Sequence, residues 1–425
     1  ASHLTGKTVS RFTHVHRNVE DLIKKVKLLR VLGQKTGSCF QRCVGLDGIN
    51  AAYSVTYEID RKCGTDYFER FKKWLAYIQE ENLMVVGAMT DPKGDRSKGP
   101  AEQVDPDQYL RIVERRDDGL VIRGAKLHMT GGVNSHEILI MPTTAMDEKS
   151  KDYAVVCAIP ADAPGVTMIF GRQANDDRKD NRERIDSGNP LFGGVGGEAV
   201  IAFEDVFVPW ERVFMNGETE FTNALVYRFA AHHRANYGGC KTGLIDVLTG
   251  AVTYLAQIQG TAGASHVRDK VTEMIHLGET LYSSSIACAA EGWPTPSGAY
   301  MVDTMLANVG KHNATRFHFE VARLAADLAG GFLATLPSEY DLNSEETGHL
   351  VKKYFSGVAG IATEERIKIG RLIESMTGGT ALVESMHGAG SPQAQRVMIF
   401  REGNLDKKVK LAKALAGIAP ERSRK

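Results

Sequence analysis

Two distant segments carry residues with the chemistry of metal ligands. Cys39 and Cys43 are spaced i, i+4, so on a helix both thiols point to the same face. Far downstream, His233, Tyr237 and Cys240 fall within about 60° of one another on a helix that turns by about 100° per residue. The spacing therefore predicts that three thiols and one imidazole meet if the two helices face each other.

Spacing alone leaves three interpretations of these residues open. They fit ordinary packing, because free cysteines are often buried. They fit zinc, although structural zinc sites usually have tighter spacing within each ligand pair. They also fit an iron–sulfur cluster, which thiolates hold and in which one His can replace a Cys. The other cysteines, Cys63, Cys157 and Cys288, have no partner at ligand spacing and are predicted to be packing residues.

Two loop segments have a composition suited to holding a cofactor. Residues 89–96 (MTDPKGDR) contain the turn-forming pairs Asp-Pro and Lys-Gly, and Lys93 and Arg96 can contact a phosphate. Residues 128–136 (HMTGGVNSH) follow a predicted strand. Their glycines let backbone N–H groups approach a ligand, while Thr130 and Asn134 supply hydrogen-bonding side chains. A solvated charged turn and a plain glycine-rich connection are the alternatives for these two segments.

Two further polar residues are candidates for the same site. Glu198 follows a glycine-dense run at residues 193–197, and an acid held there can act as a general base, although most such acids are simply exposed. Lys241 follows Cys240 directly, so on a helix it lies just beside the face that carries the predicted ligands.

The composition excludes several classes of partner. The chain has 52 Lys plus Arg and 52 Asp plus Glu, so its formal net charge is zero. It has no excess of positive charge that would indicate binding to nucleic acid or to an anionic membrane. No apolar run approaches the roughly 20 residues that span a bilayer, and the first residues lack the apolar core of a secretory signal. Six cysteines in 425 residues do not make a disulfide framework. These features predict reduced thiols in a cytoplasmic protein.

The hydrophobic pattern divides the chain into three zones. Residues 1–86 are predicted to be helical, with amphipathic segments at Val19–Leu32 and Tyr67–Glu80. Residues 87–216 are predicted to form short strands, with a hairpin turn at Asp118-Gly119. Strands without intervening helices indicate a compact barrel or sandwich, and the missing G-x-G-x-x-G fingerprint argues against a Rossmann site. The strands are expected at Tyr109–Glu114, Leu120–Leu127, Glu137–Met141, Tyr153–Ile159, Val166–Phe170 and Ala199–Phe207.

The third zone, residues 217–425, returns to long amphipathic segments. Segments of this length suggest an up-and-down helical bundle. The predicted helices are Ala224–Leu255, Val267–Glu291, Tyr300–Leu328 and Thr347–Ser375.

Four motifs resemble a known group of flavoproteins. Residues 89–96, residues 128–137 (HMTGGVNSHE), Phe203–Phe214 (FEDVFVPWERVF) and Glu384–Arg396 (ESMHGAGSPQAQR) are together similar to the group that shares the acyl-CoA dehydrogenase fold. Two branches matter, the two-component 4-hydroxyphenylacetate 3-monooxygenases and the 4-hydroxybutyryl-CoA dehydratases. The resemblance extends from about residue 10 to about residue 415.

The metal-ligand pattern separates the two branches. The monooxygenases lack a cluster, whereas the dehydratases hold a [4Fe-4S] cluster by three Cys and one His. Those positions match Cys39, Cys43, His233 and Cys240. The resemblance therefore favours a dehydratase with vinylacetyl-CoA Δ-isomerase activity. A flavin-dependent aromatic hydroxylase and a non-enzymatic metal or redox module are the alternatives.

The resemblance also implies the architecture and the cofactors. It implies a mainly α protein with a central β-barrel domain: an N-terminal helical domain (1–86), a β-barrel domain (87–216) and a C-terminal helical bundle (217–425). It implies FAD, a CoA thioester substrate and a homotetramer, a dimer of dimers, with part of the first domain expected upstream of Ala1. The residues expected to bind FAD are Met89, Asp91, Pro92, Lys93, Gly94, Asp95, Arg96, His128, Met129, Thr130, Gly131 and Asn134.

The reaction of the dehydratase branch explains why two cofactors are expected. Loss of water from 4-hydroxybutyryl-CoA to give crotonyl-CoA removes a proton from C3, which the thioester does not acidify. A transient one-electron oxidation by flavin would acidify that proton, and the cluster would act as a Lewis acid for the departing hydroxide.

The resemblance assigns roles to six residues. His233 is expected to be the C3 base, while Tyr237 and Lys241 orient the substrate oxygen or help hydroxide leave. Glu198 is expected to accept a proton or orient substrate. Thr130 is expected to hydrogen-bond the flavin, and Glu384 is a candidate second acid.

Overall fold

The structure, a computed structural model, describes residues 1–171, 185–189 and 198–418. Three helices open the chain: α1 (Val19–Thr36), α2 (Cys43–Cys63) and α3 (Tyr67–Glu80). The Asn18 side chain caps the start of α1 by accepting a hydrogen bond from the backbone N–H of Asp21. Gly37, at a left-handed φ of 59°, ends it. Both helices predicted in this zone are confirmed, whereas α2 was not predicted as an element.

Eight strands form the described part of the middle of the chain. They are β1 (Val85–Ala88), β2 (Arg111–Arg115), β3 (Gly119–Thr130), β4 (Glu137–Ile140), β5 (Val155–Pro160), β6 (Val166–Phe170), β7 (Glu198–Pro209) and β8 (Val213–Asn216). Their order is β1-β4-β5-β8 in one sheet and β2-β3-β7-β6 in the other. All described pairs in these sheets are antiparallel except β1–β4. The β2–β3 hairpin confirms the turn signal at Asp118-Gly119.

The two sheets share one apolar core. Ile138 and Val155 from the first sheet pack with Ile122, Ile201 and Phe203 from the second, and all five are buried. The middle zone is therefore a β unit, as predicted from the change of hydrophobic period. Closure of the two sheets into a barrel stays a prediction.

The regular structure described from residue 219 to residue 418 is helical apart from the short β9–β10 hairpin (Trp293–Pro294 and Tyr300–Met301). The helices are α4 (Thr219–Ala235), α5 (Tyr237–Ile258), α6 (Ser265–Ala290), α7 (Thr304–Ala329), α8 (Glu339–Asn343), α9 (Gly348–Tyr354), α10 (Thr363–Met376), α11 (Gly379–His387), α12 (Pro392–Glu402) and α13 (Leu405–Leu415). None of the described helices is both long and apolar enough to cross a membrane.

The predicted helix Thr347–Ser375 is wrong, because it is interrupted between α9 and α10. Gly360 has φ of 89°, which a helix cannot accommodate. Gly357 packs so tightly that an added Cβ would lie 2.4 Å from the carbonyl oxygen of Ile258. The predicted helix Ala224–Leu255 is likewise divided, at Asn236, and Tyr300–Met301 is extended instead of helical.

A close helix crossing positions the site. An added Cβ on Gly33 of α1 would lie 2.4 Å from the carbonyl oxygen of Cys240, and one on Gly243 of α5 would lie 2.3 Å from that of Arg30. The two backbones therefore touch where they cross. This contact places the segment that follows α1, including Cys39, beside the start of α5.

Candidate active site

A small cavity lies where the α1–α2 connection, the α4–α5 junction and α11 meet. Its volume is about 40 Å³. The lining residues are Ser38, Cys39, Phe40, Cys43, Val44, Thr130, His233, Asn236, Tyr237, Cys240, Lys241, Leu244, Glu384 and Gly388. The structure thus brings together all four predicted metal ligands and four of the other predicted site residues.

Cys39 reaches the cavity from a loop. The expectation that Cys39 and Cys43 share one helix face is wrong, because Cys43 is the first residue of α2 and Cys39 precedes the helix. The chain leaves α1 at Gly37 and turns again at Gln41, which has a positive φ of 60°. Both thiols still line the same cavity.

The helix is interrupted at Asn236, but the proposed ligands on either side of the interruption stay close together. His233 lies in the last turn of α4 and Tyr237 begins α5, yet their rings meet edge to face with centroids 6.0 Å apart. Gly238 lies in tight packing against α6, since an added Cβ would be 2.1 Å from the Ser285 hydroxyl. His233, Tyr237 and Cys240 therefore share one side of the junction, as their spacing predicts.

Cys43 is buried and Cys39 and Cys240 are partly buried, and all three thiols are held in their neutral form. Burial raises the pKa of Cys39 and Cys43 well above the ordinary range, and it raises that of Cys240 to about 11. Glu384 adds to the shift of Cys39, and Asp47 to that of Cys43. A thiol in this environment ionises readily only when a cation replaces its proton.

Asp47 is a residue of the site that the sequence reasoning missed. It lies one helical turn after Cys43, and its side chain is fully buried. One carboxylate oxygen, Oδ2, lies 2.8 Å from Nδ1 of His233, and the other, Oδ1, lies 2.6 Å from Nζ of Lys25. Donor atoms of Cys43, Asp47 and His233 all lie within 4.8 Å of one another. Its i+4 spacing from Cys43 was the available signal.

The Asp47 carboxylate determines which nitrogen of His233 faces a ligand. Burial alone would raise the pKa of Asp47, but Lys25 and His233 lower it, so the carboxyl is ionised. An ionised carboxylate only accepts hydrogen bonds, so Nδ1 of His233 carries the proton. Nε2 is then the nitrogen left for a ligand or a proton.

Two acids lie in or beside the cavity, each with a polar partner that lines it. Lys241 donates to Glu384 at 2.9 Å, and Thr130 donates its hydroxyl to Glu198 at 2.5 Å. Burial, and then the charge of Glu384, raises the pKa of Glu198 to about 8. Burial opposes ionisation of Glu384, but Lys241 and the Cys39 thiol hold its pKa below the ordinary value. Oε1 of Glu198 is buried without a hydrogen-bond partner among the described residues.

Lys311 on α7 is a second residue that the sequence reasoning missed. Its buried ammonium donates to the carbonyl oxygens of Ser385 and Met386 and lies 4.4 Å from the ring centroid of Tyr237. Burial, with Lys241 nearby, lowers its pKa to about 7. No pattern in the sequence around Lys311 predicted that this lysine would be buried beside the cavity.

The first predicted flavin segment lies outside the cavity. Asp91 is buried in an ion pair with Lys126 at 2.9 Å and accepts a hydrogen bond from the Leu110 backbone, so its carboxylate stabilises the fold. Lys93 and Gly94 form the turn at positive φ.

The other residues of this segment have different surroundings. Met89 is buried, and Asp95 accepts hydrogen bonds from Ser97. Pro92 and Arg96 lie in the same connection.

The second predicted flavin segment borders the cavity only through Thr130. Met129 points into the core between the sheets, and Asn134 donates to the Gln41 side chain at 3.1 Å. Gly131 has φ of 80°, and an added Cβ would lie 2.6 Å from the carbonyl oxygen of Gln41.

The remaining member of that segment, His128, marks a basic region. Burial lowers its pKa, and Lys93, His387 and Arg96 lower it further. These four residues therefore place a basic region beside the end of α11. The glycine run at residues 193–197 lies outside the described residues.

Comparisons with known proteins agree with this architecture. The family described as 4-hydroxyphenylacetate 3-hydroxylase N terminal matches residues 1–215, and 4-hydroxyphenylacetate 3-hydroxylase C terminal matches residues 222–417. The chain is 54% identical over 430 residues to a 4-hydroxybutyryl-CoA dehydratase/vinylacetyl-CoA-Δ-isomerase from Clostridium aminobutyricum, covering 98% of this chain and 87% of that protein.

Solved structures give the same relationship. An oxygen-tolerant archaeal 4-hydroxybutyryl-CoA dehydratase from N. maritimus has a TM-score of 0.96 at 52% identity, covering 99% of this chain and 84% of that one. The oxygenase component of 4-hydroxyphenylacetate 3-monooxygenase complexed with FAD has a TM-score of 0.83 at 22% identity, covering 97% and 85%. An acyl-CoA dehydrogenase from Slackia heliotrinireducens has a TM-score of 0.54 at 14% identity, covering 92% and 82%. The last two show a shared fold.

Proposed function

The chain belongs to the 4-hydroxyphenylacetate 3-hydroxylase family, and from this premise we propose that it dehydrates 4-hydroxybutyryl-CoA to crotonyl-CoA and isomerises vinylacetyl-CoA. The relative at 54% identity carries this activity in its description. The observation that supports it most directly is the single cavity lined by Cys39, Cys43, His233 and Cys240. An aromatic hydroxylase has no use for this set of ligands.

The residues of the cavity fit an iron–sulfur cluster. Three thiols and one imidazole that line one cavity form a donor set of the kind that holds such a cluster, and metal would have to displace the thiol protons because the pKa values are raised. Cys39, Cys43, His233 and Cys240 would hold the cluster.

FAD is the second proposed cofactor. A protein with the same fold was solved with FAD. Lys93 and Arg96, which lie near His128, supply positive charge suited to the diphosphate, and Thr130 is the proposed flavin contact that lines the cavity. When bound, FAD would supply a reversible one-electron oxidation of the substrate, and the cluster would supply a Lewis-acidic iron for the hydroxyl group.

His233 is proposed to take the proton from C3 of the substrate at Nε2. Since Asp47 occupies Nδ1, the ligand role and the base role both use Nε2, so His233 performs them in turn. The Asp47 carboxylate stabilises the imidazolium that forms after proton transfer.

Tyr237 and Lys241 are proposed to act on the departing hydroxyl group. The Tyr237 hydroxyl donates to the carbonyl oxygen of Glu384 at 3.3 Å, which is long enough to be exchanged for a substrate oxygen. Its pKa is raised well above the ordinary value by burial and by Glu384, so it remains a proton donor. Lys241 holds a positive charge at the cavity through its ion pair with Glu384.

Glu198 is proposed to hold or transfer a second proton. With a pKa of about 8 it is mostly protonated at neutral pH, and on ionisation it becomes a stronger base than an exposed carboxylate. Its unpartnered Oε1 leaves one oxygen for substrate. The cytoplasmic location and the homotetramer, a dimer of dimers, are also proposed, on the family resemblance alone.

The proposal is tested by an ultraviolet–visible spectrum of the purified chain together with iron, sulfide and flavin assays. We expect about four iron and four sulfide per chain, bound FAD and conversion of 4-hydroxybutyryl-CoA. Stoichiometric zinc without flavin would favour a metal module. Hydroxylation of a phenol by the chain supplied with reduced flavin would favour the aromatic hydroxylase.

A further inference from the structure

We propose that Asp47, held by Lys25 and Asn236, is a positioning residue that fixes the ring of His233 so that Nε2 faces the three thiols. This inference rests on the proposed function, because it concerns the residue that binds the cluster. It adds three residues to the site that neither the sequence motifs nor the comparisons assign.

Hydrogen bonds to both oxygens hold the Asp47 carboxylate in one orientation. Oδ2 accepts from Nδ1 of His233 at 2.8 Å and from the Asn236 amide at 2.6 Å. Oδ1 accepts from the Lys25 ammonium at 2.6 Å. The carboxylate is fully buried and Lys25 is 3% exposed, so water does not compete for these contacts.

Lys25 stabilises the buried carboxylate of Asp47. An ionised carboxylate without a counter-ion is strongly destabilised in a protein interior. The Lys25 ammonium supplies the positive charge and lies 3.4 Å from the carbonyl oxygen of His232, the neighbour of His233. One cation therefore contacts both the carboxylate and the backbone that carries the imidazole.

The arrangement favours positioning over direct ligation by Asp47. Its oxygen atoms lie within 4.8 Å of donor atoms of Cys43 and His233, so it is close enough to be considered as a ligand. Both oxygens, however, already accept hydrogen bonds. A carboxylate bonded to the far nitrogen of a metal-binding His is a recurrent arrangement that orients the ring and selects its tautomer.

The test compares Asp47→Asn with the wild type in cluster retention. We measure iron and sulfide per chain and the rate at which a chelator removes iron. Loss of such an outer partner typically weakens metal binding by about 10–100-fold, so we expect faster iron release by that order. The nitrogen coupling of His233 in the pulsed electron paramagnetic resonance spectrum of the reduced cluster should also change, because the ring is no longer held in one orientation.

Two variants separate positioning from folding. Glu137→Gln removes another buried carboxylate, which is paired with Arg212 and Trp74, and should leave iron release unchanged. The double variant Lys25→Met with Asp47→Asn removes both charges, so it should recover thermal stability relative to Asp47→Asn without recovering cluster retention.

The outcomes distinguish this inference from the proposed function. A wild-type chain without iron and sulfide would overturn both. A wild type with a cluster, together with an Asp47→Asn variant that releases iron at the same rate, overturns only the positioning role. Recovery of cluster retention in the double variant would also overturn it, because Asp47 would then matter only for folding.

Discussion

At the scale of single residues, polar side chains in and beside the cavity interact in pairs. Lys25 pairs with Asp47, Lys241 with Glu384, and Thr130 with Glu198. Each pairing fixes where a proton resides before substrate enters. Substitutions that change a single atom type can therefore test individual roles without dismantling the site.

Tyr237→Phe tests the hydroxyl proposed to act on the leaving group. It removes one oxygen and leaves all four proposed ligands in place. We expect dehydration to slow by about tenfold or more, equal to ~1.4 kcal/mol of barrier, with unchanged iron and sulfide. Tyr227→Phe is the control, since that hydroxyl bonds to Thr304 and Glu402 in a different pocket. An unchanged rate in Tyr237→Phe would exclude the hydroxyl from the chemistry.

Cys39→Ala tests the ligand set at its loop position. It should abolish cluster retention, because Cys39 is one of the three proposed thiol ligands. Cys288→Ala should retain the cluster, since that buried thiol packs between α6 and α7 and donates to the carbonyl oxygen of Asp303. Iron and sulfide assays distinguish the two results. Equal cluster content in both variants would contradict the assignment.

Glu198→Gln tests the raised pKa of Glu198. Its pKa in the folded chain is about 8, above the ordinary value of 4.5, so between these values the folded state binds more protons than the unfolded state. The contribution of Glu198 to stability therefore falls as pH rises from about 4.5 through 8. The variant should gain stability relative to wild type over this window, which thermal unfolding at several pH values measures. Glu204→Gln, which removes an exposed carboxylate on the same strand, is the matched control.

At the scale of elements, the site depends on how closely helices approach. The crossing of α1 and α5 is made by Gly33 and Gly243, whose absent side chains let the backbones touch. On the far side, Lys311 binds the carbonyl oxygens near the end of α11, where a cation also interacts favourably with the helix dipole. These contacts hold Cys39 and Glu384 against α5.

Gly243→Ala tests the helix crossing. Its Cβ would lie 2.3 Å from the Arg30 carbonyl oxygen, which belongs to backbone and cannot yield. We expect α1 and α5 to separate, with loss of iron and a lower unfolding temperature. Gly250→Ala, on the same helix, meets nothing within 4 Å and should be neutral or stabilising by about 0.5–1 kcal/mol. Full iron content in Gly243→Ala would show that the crossing does not position the ligands.

At the scale of the whole molecule, the N-terminal helices, the β unit and the C-terminal helices all contribute to one cavity. Cys43 comes from the first, Thr130 from the second and Glu384 from the third. Dehydration involves no net oxidation, so an enzyme that uses flavin for it must return the flavin to its starting state in each turnover.

Reduction of the flavin tests this whole-molecule proposal. Anaerobic treatment with dithionite should stop dehydration, and reoxidation should restore it, because only oxidised FAD would supply the proposed one-electron oxidation of the substrate. Oxygen should give no hydroxylated product. Product formation is followed by chromatography of the CoA thioesters. Full activity in a reduced or flavin-free sample would refute the proposed one-electron oxidation by flavin.

Local patterns in the sequence predicted the features that depend on neighbouring residues. Helical spacing of apolar residues predicted α1 and α3, and alternation predicted six of the strands. Residue types singled out Cys39, Cys43, His233 and Cys240, because thiols and imidazoles are recognisable ligands wherever they occur. The resemblance selected the cluster interpretation, which spacing by itself had left open.

Tertiary structure decided what depends on distant contacts. The apolar periodicity of residues 347–375 predicted one continuous helix. The structure has an interruption there, where Gly357 packs against Ile258. The bond between Asp47 and His233 joins residues 186 positions apart, and the pKa of Lys311 depends on burial against α11 and α5. A carboxylate or a lysine looks the same in a sequence whether exposed or buried. Its proton affinity and its partner are set by the groups that folding places around it.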